Sequence, residues 1–204
     1  MDNKKTKGIE INEDNPKILN DYLKAVRDDD KDRIDKSSEA LSDYIILKVN
    51  NAIKVFYKTD SFLLESKMNE MSVCGRLAMY LQEEFKDFKG YYIDTEYYRL
   101  KVPRNKANLR DDRIRCDILF HSRGAYNSRV DNLLAIEAKL ESNTDDGGKD
   151  RSRLADFVMP ETTETPKGAI HSTLVGLFLR FGEKECTAMR IIPVDINADI
   201  EENE

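Results

Sequence analysis

Apolar positions recur at helical spacing in the first half of the chain and at strand spacing in the second. Over 35–57, Leu41, Tyr44, Ile45, Val49, Ile53 and Phe56 return every three or four residues and mark one apolar face of a helix. A shorter helix is expected at 16–27, joined to it by a charged turn over 28–33. A third helix is expected over 66–85, with Met71, Cys74, Leu77, Ala78, Leu81 and Phe85 as its buried stripe. Residues 1–15 are polar and aperiodic and are expected to lack fixed structure. The first two helices need a covering surface, which is either the core that follows or a second copy of the chain, so a homodimer through them is one expectation.

After Gly90 the period changes. Residues 91–100 are aromatic and alternating, 114–120 and 132–140 are short apolar runs rich in strand formers, and 172–179 and 187–194 are two late strands. Between them lie a polar stretch at 103–112, a turn region at 121–131 containing Gly124 and Asn127, a loop at 141–148 and a helix at 149–157 that ends before Pro160. Helix, three strands, helix, two strands is an α/β order. With 204 residues, the chain can form one well-buried core. The expected organisation is a helical extension over 1–60, a core over 61–194 and an acidic tail over 195–204.

Charges interrupt two of the apolar runs. Asp117 sits in Ile114-Arg115-Cys116-Asp117-Ile118-Leu119-Phe120, and Glu137 and Lys139 sit in Leu134-Ala135-Ile136-Glu137-Ala138-Lys139-Leu140. Because side chains alternate along a strand, Glu137 and Lys139 share a face, about 6.6 Å apart along it. An unpaired buried charge costs several kcal/mol or neutralises, so these groups need compensation, which a divalent metal with its bound water provides. Glu70 lies four residues before Cys74 and seven before Leu77 and so continues the buried stripe of the third helix. The bland alternatives are plain ones. Glu70 is also where a first-turn acid favours the helix dipole, with Asn69 or Ser66 as cap, and Asp117 with Lys139 is also a possible cross-strand ion pair worth about 0.2–1 kcal/mol.

The net charge of −6 argues against a polyanionic partner, but its distribution does not. Between Arg99 and Val130 there are nine basic residues against three acids, a local excess of six positive charges. Phosphate contact depends on such a patch and not on the total. Cys74, Cys116 and Cys186 are scattered, and neither they nor His121 and His171 show zinc-ligand spacing. No serine or cysteine nucleophile stands out. His121 reads as a polar cap to its strand, Cys74 as a small core residue, and Glu96 with Arg99 as either cleft lining or a structural ion pair. No apolar run approaches membrane-span length and no signal-type region follows Met1, so the expected location is cytoplasmic, with no membrane partner.

The arrangement of Glu70 on a helix, Asp117 in one strand and Glu137-x-Lys139 in the next resembles the PD-(D/E)XK phosphodiesterase superfamily over about residues 66–180. Asn69-Glu70, Arg76-Leu77-Ala78-x-Tyr80-Leu81, Asp94-x-Glu96-Tyr97-x-Arg99, Asp117-Ile118-Leu119-Phe120-His121 and Asn132-Leu133-Leu134-x-Ile136-Glu137-x-Lys139 resemble small bacterial members of it. The residue before Asp117 is Cys116 where the family name has proline. The resemblance implies a restriction-endonuclease-like α/β core, a central mixed β-sheet flanked by helices with an N-terminal helical extension, and a metal-dependent nuclease acting on DNA in preference to RNA. It assigns Asp117, Glu137 and the backbone carbonyl of Ala138 to Mg²⁺, for which Mn²⁺ substitutes. Lys139 then assists the attacking water and Glu70 supports the metal site. The alternative is the same fold without catalysis, used to bind a partner or nucleic acid.

Overall fold

The computed structural model describes residues 9–98, 115–126, 128–160 and 172–191. Along them run α1 (Lys17–Arg27), α2 (Lys31–Asp60), α3 (Phe62–Glu65), α4 (Glu70–Glu84), β1 (Tyr92–Tyr98), β2 (Arg115–His121), α5 (Ser128–Asp131), β3 (Asn132–Leu140), α6 (Gly148–Val158), β4 (Val175–Phe181) and β5 (Cys186–Ile191). The strands form one mixed sheet in the order β1-β2-β3-β4-β5. Strands β1, β2 and β3 are antiparallel neighbours, β3 and β4 are parallel, and β4 and β5 are antiparallel. A parallel pair needs a crossover, and α6 lies within it. The architecture is α/β, a mixed sheet flanked by helices.

Strand β3 is central, which is why its sequence is almost unbroken apolar: eight of its nine residues are buried. Ile118, Phe120, Leu134, Ile136 and Ala138 belong to a core shared with α1, α2 and α4, whereas Leu119 and Ala135 pack with Leu154, Phe157 and Phe178 on the α6 side. The apolar stripe of α2, with Leu41, Ile45 and Phe56 fully buried, is covered by the chain's own core. That stripe is therefore covered without a second copy of the chain.

Several local expectations change. Helix α2 starts at Lys31, inside the predicted charged turn, because Asp30 accepts a hydrogen bond from Arg33 N (3.1 Å) and caps it. The third helix starts at Glu70, four residues later than expected, since Asn69 caps α4 by accepting from Ser72 N at 2.9 Å, and the short α3 precedes the expected range. Met71, expected in the buried stripe, is 59% exposed, while Val73 takes its place. Residues 9–15, expected to lack fixed structure, instead put Ile9 into the core and lodge Asn15 Oδ1 against Lys89 N at 2.6 Å. The predicted turn at 121–131 ends in the helical turn α5. Residues 1–8, the polar stretch and most of the basic segment over 99–114, His171 and the acidic tail lie outside the described residues. Among the described residues, no helix is long and apolar enough to cross a membrane.

Two contacts fix the helices that flank the site. Lys48 of α2 reaches the Glu84 carbonyl at the end of α4, with its ammonium 5.1 Å from the Tyr44 ring centroid and 3.3 Å from Asp87 Oδ1. A cation there favours the negative end of α4. Helix α6 is seated by glycines: a Cβ on Gly147 (φ 78°) would meet the Phe178 ring at 2.4 Å, and one on Gly176 would meet Val158 Cγ1 at 2.8 Å. Only glycine lets α6 approach β4 this closely.

Phe120, 1% exposed, contacts Phe85, Phe88 and Tyr91 with ring centroids 4.4–5.6 Å away and so ties β2 to the end of α4. Phe120→Ala is expected to lower unfolding free energy by about 3–5 kcal/mol. Urea denaturation checks this, and a loss below about 1 kcal/mol would mean that the aromatic cluster does not hold the sheet.

Candidate functional site

Strands β2 and β3 pair through Phe120–Leu134 and Ile118–Ile136 and then part. In an antiparallel ladder, the next bond would run from Ala138 N–H to the Cys116 carbonyl. The Asp117 carboxylate takes it instead, with Oδ2 2.9 Å from Ala138 N. Two residues on, the Leu140 N–H turns to the same side, toward Glu70 in the first turn of α4. Two carboxylates thus replace the departing strand along the edge of β3. Ala138 turns its carbonyl to the same side as its N–H, toward this gap.

Glu137 faces Asp117 across the parting and shares a hydrogen bond with it. Its side chain is 2% exposed, and Oε1 has no hydrogen-bond partner, although Arg153 Nη1 is 3.3 Å away. At that distance, the guanidinium supplies charge without hydrogen-bond alignment. Burial, and then the charge of Asp117, push the Glu137 carboxyl up to about 9. Two further residues complete the site, both on α6, and neither stands out in the sequence as a site residue. Asp150 Oδ2 is 3.0 Å from Lys139 Nζ, and Asp150 Oδ1 is 2.6 Å from Arg153 Nη2. Their signal in the chain is an acid and an arginine three apart, Asp150-x-x-Arg153, in the first turns of a helix that follows the Glu137-x-Lys139 strand.

Burial works against the Lys139 ammonium, but Asp150, Glu70 and Asp145 outweigh it and raise its pKa. Lys139 therefore stays protonated at neutral pH and acts as a donor and a positive charge. Burial, partly offset by Lys139, raises Glu70, which also accepts from Asn143 Nδ2 at 3.3 Å.

Of the four predicted side chains, Asp117 and Glu137 are in contact at this parting, and Glu70 and Lys139 lie near enough for their charges to act on each other. His121 is not part of it: it is fully buried, with Nε2 2.9 Å from Asp94 Oδ2, and Asp94 is further held by Arg123 Nε at 2.9 Å. Arg129 pairs with Asp29 at 2.9 Å. These two basic residues follow the far end of β2 and are engaged in structural contacts. Cys74 is buried in the core, as its stripe predicts. A cavity of about 500 Å³ lies beyond the ends of β3 and β4, over Leu140 and Phe181, and none of the four side chains lines it.

Among the described residues, no group of three His, Cys, Asp or Glu side chains is gathered tightly enough to hold a metal ion unaided. A pair of carboxylates nevertheless suits Mg²⁺, which binds one or two of them and keeps several waters. Glu70, Asp117, Glu137, Asp145 and Asp150 surround Lys139 and Arg153, so with every group ionised acids outnumber cations by five to two. A divalent ion would offset part of that excess, and Glu137 Oε1, without a hydrogen bond, has a lone pair free for it. The donor set fits the group. The chain matches no protein-family model, no curated protein and no solved structure.

The Glu137 shift has a consequence for stability. Between its ordinary value and about 9, the folded chain keeps a proton that the unfolded chain has lost, so stability falls as pH rises through that window. Glu137→Gln imitates the protonated acid and removes this dependence. Denaturation from pH 5 to 9 without metal should show the variant gaining on the wild type as pH rises, with a limiting slope of about 1.4 kcal/mol per pH unit. Parallel curves would mean that Glu137 is already ionised in the folded state.

Proposed function

We propose that this chain is a divalent-metal-dependent nuclease of the PD-(D/E)XK type, with a restriction-endonuclease-like core, hydrolysing phosphodiester bonds of DNA in preference to RNA. The reading rests on one observation: the carboxylates of Asp117 and Glu137 converge where β2 leaves β3, with Lys139 one side-chain repeat along the same strand. Asp117, Glu137 and the Ala138 carbonyl are the ligand set for Mg²⁺ or Mn²⁺. When bound, the ion supplies Lewis acidity toward a phosphate and acidifies a water. Lys139, kept protonated by its acidic neighbours, orients that water and offsets charge developing on the phosphate oxygens. Glu70 would support the site by holding a metal-bound water. The seven basic residues from Arg99 to Arg115, which leave out the paired Arg123 and Arg129, would give the polymer an electrostatic hold.

A second reading, the same fold binding nucleic acid or a partner without cutting, draws support from the tie between Lys139 and Asp150 at 3.0 Å and from the absence of a three-ligand cluster among the described residues. Incubation of plasmid and oligonucleotide substrates with the purified chain separates the two. Cleavage is expected with Mg²⁺ or Mn²⁺, with Ca²⁺ supporting binding better than turnover. Glu137→Ala and Lys139→Ala should each lose activity by about 10²-fold or more while keeping a cooperative melt. Equal cleavage by both variants would assign the activity to another site or a contaminant, and binding without cleavage by the wild type would establish the second reading.

A further inference from the structure

Resting on that reading, we propose that Arg153 is a positioning residue that serves as a built-in stand-in for the divalent ion: its guanidinium occupies the ground beside Glu137 and is displaced when the ion enters. Four observations carry this. The guanidinium lies 3.3 Å from Glu137 Oε1, yet that oxygen remains without a hydrogen bond, so the contact is one of charge and leaves a lone pair for a metal. The Arg153 side chain is 31% exposed while that of Glu137 is 2% exposed, which gives the arginine a route outward that the acid lacks.

Arg153 also has a second anchor, because Nη2 is 2.6 Å from Asp150 Oδ1. It can release Glu137 and keep Asp150. Finally, α6 is locked at its base by Gly147 under the Phe178 ring and along its length by Leu154 and Phe157 in the core, so the departing group is the side chain and not the helix. Asp150 is shared. Its other oxygen holds Lys139 at 3.0 Å, so one carboxylate keeps both cations in place while the ion exchanges.

Once Glu137 has lost its proton, a tethered cation and an incoming one compete for the same carboxylate. The apparent affinity for the ion is therefore reduced by the fraction of molecules in which Arg153 still holds Glu137. Isothermal titration of the full-length chain with Mn²⁺ alone, without nucleic acid, reads this directly. Arg153→Ala should bind Mn²⁺ about tenfold more tightly than the wild type, and Arg153→Ala combined with Asp117→Asn should lose the site. If the alanine variant does not melt cooperatively, Arg153→Lys retains a cation and an apolar stem but not the fork. It should tighten binding about threefold.

Unchanged or weaker Mn²⁺ binding by folded Arg153 variants, with Asp117→Asn abolishing it in the wild-type background, would overturn the stand-in role and leave the metal site standing. No Mn²⁺ binding by any folded variant would remove the metal reading, and the stand-in with it.

Discussion

The structure turns on the parting of β2 from β3 after the Ile118–Ile136 pair. A central strand that loses its neighbour exposes backbone donors that have to be satisfied, because a buried unpaired N–H costs about 1–3 kcal/mol. Here the Ala138 donor is met by the Asp117 carboxylate, and Glu70 lies beside that of Leu140. The acids therefore have a structural reason to be where they are, independent of any ion. That same reason points them into one gap, beside Glu137, so the geometry of the site is a by-product of how the sheet closes its edge.

Two helices deliver the remaining groups. Helix α4 brings Glu70 in its first turn and is pinned at its other end by Lys48 of α2, so the N-terminal helices act on the site through α4. Helix α6, held close to β4 by Gly147 and Gly176, brings Asp150 and Arg153 against Lys139 and Glu137. The result is an alternating path of charge, Lys139 to Asp150 to Arg153 to Glu137, ending at Asp117. In such a path, each ion is compensated by neighbours of opposite sign, except where Asp117 and Glu137 meet.

The strand positions and the meeting of Asp117, Glu137 and Lys139 were legible because period-2 alternation in short apolar runs reports which side chains share a face, and β3 runs over the predicted 132–140. Glu70 was legible from helical spacing. Asp150 and Arg153 were not, because a charged first turn of a helix is ordinary on a solvated surface, and only the close seat of α6 on β4 turns it inward. Met71 was misread for a related reason: helical period alone cannot tell which apolar residue at the start of a helix stays in solvent, as Met71 does. The start of α2 was obscured because a run of acids reads as a turn until Asp30 is recognised as its cap.

The site is not the most stable arrangement available to this sheet. An apolar residue at 137 would leave a core strand like its neighbours, whereas Glu137 holds a carboxyl that burial and Asp117 together keep protonated well above its ordinary range. Arg153 relieves that only in part, since it sits beside Oε1 without aligning a hydrogen bond. A buried acid with an incomplete partner destabilises a fold in isolation. It becomes intelligible as a site in which the proton and the guanidinium are both temporary occupants, since a hard cation binding there needs the carboxylate ionised and the arginine withdrawn.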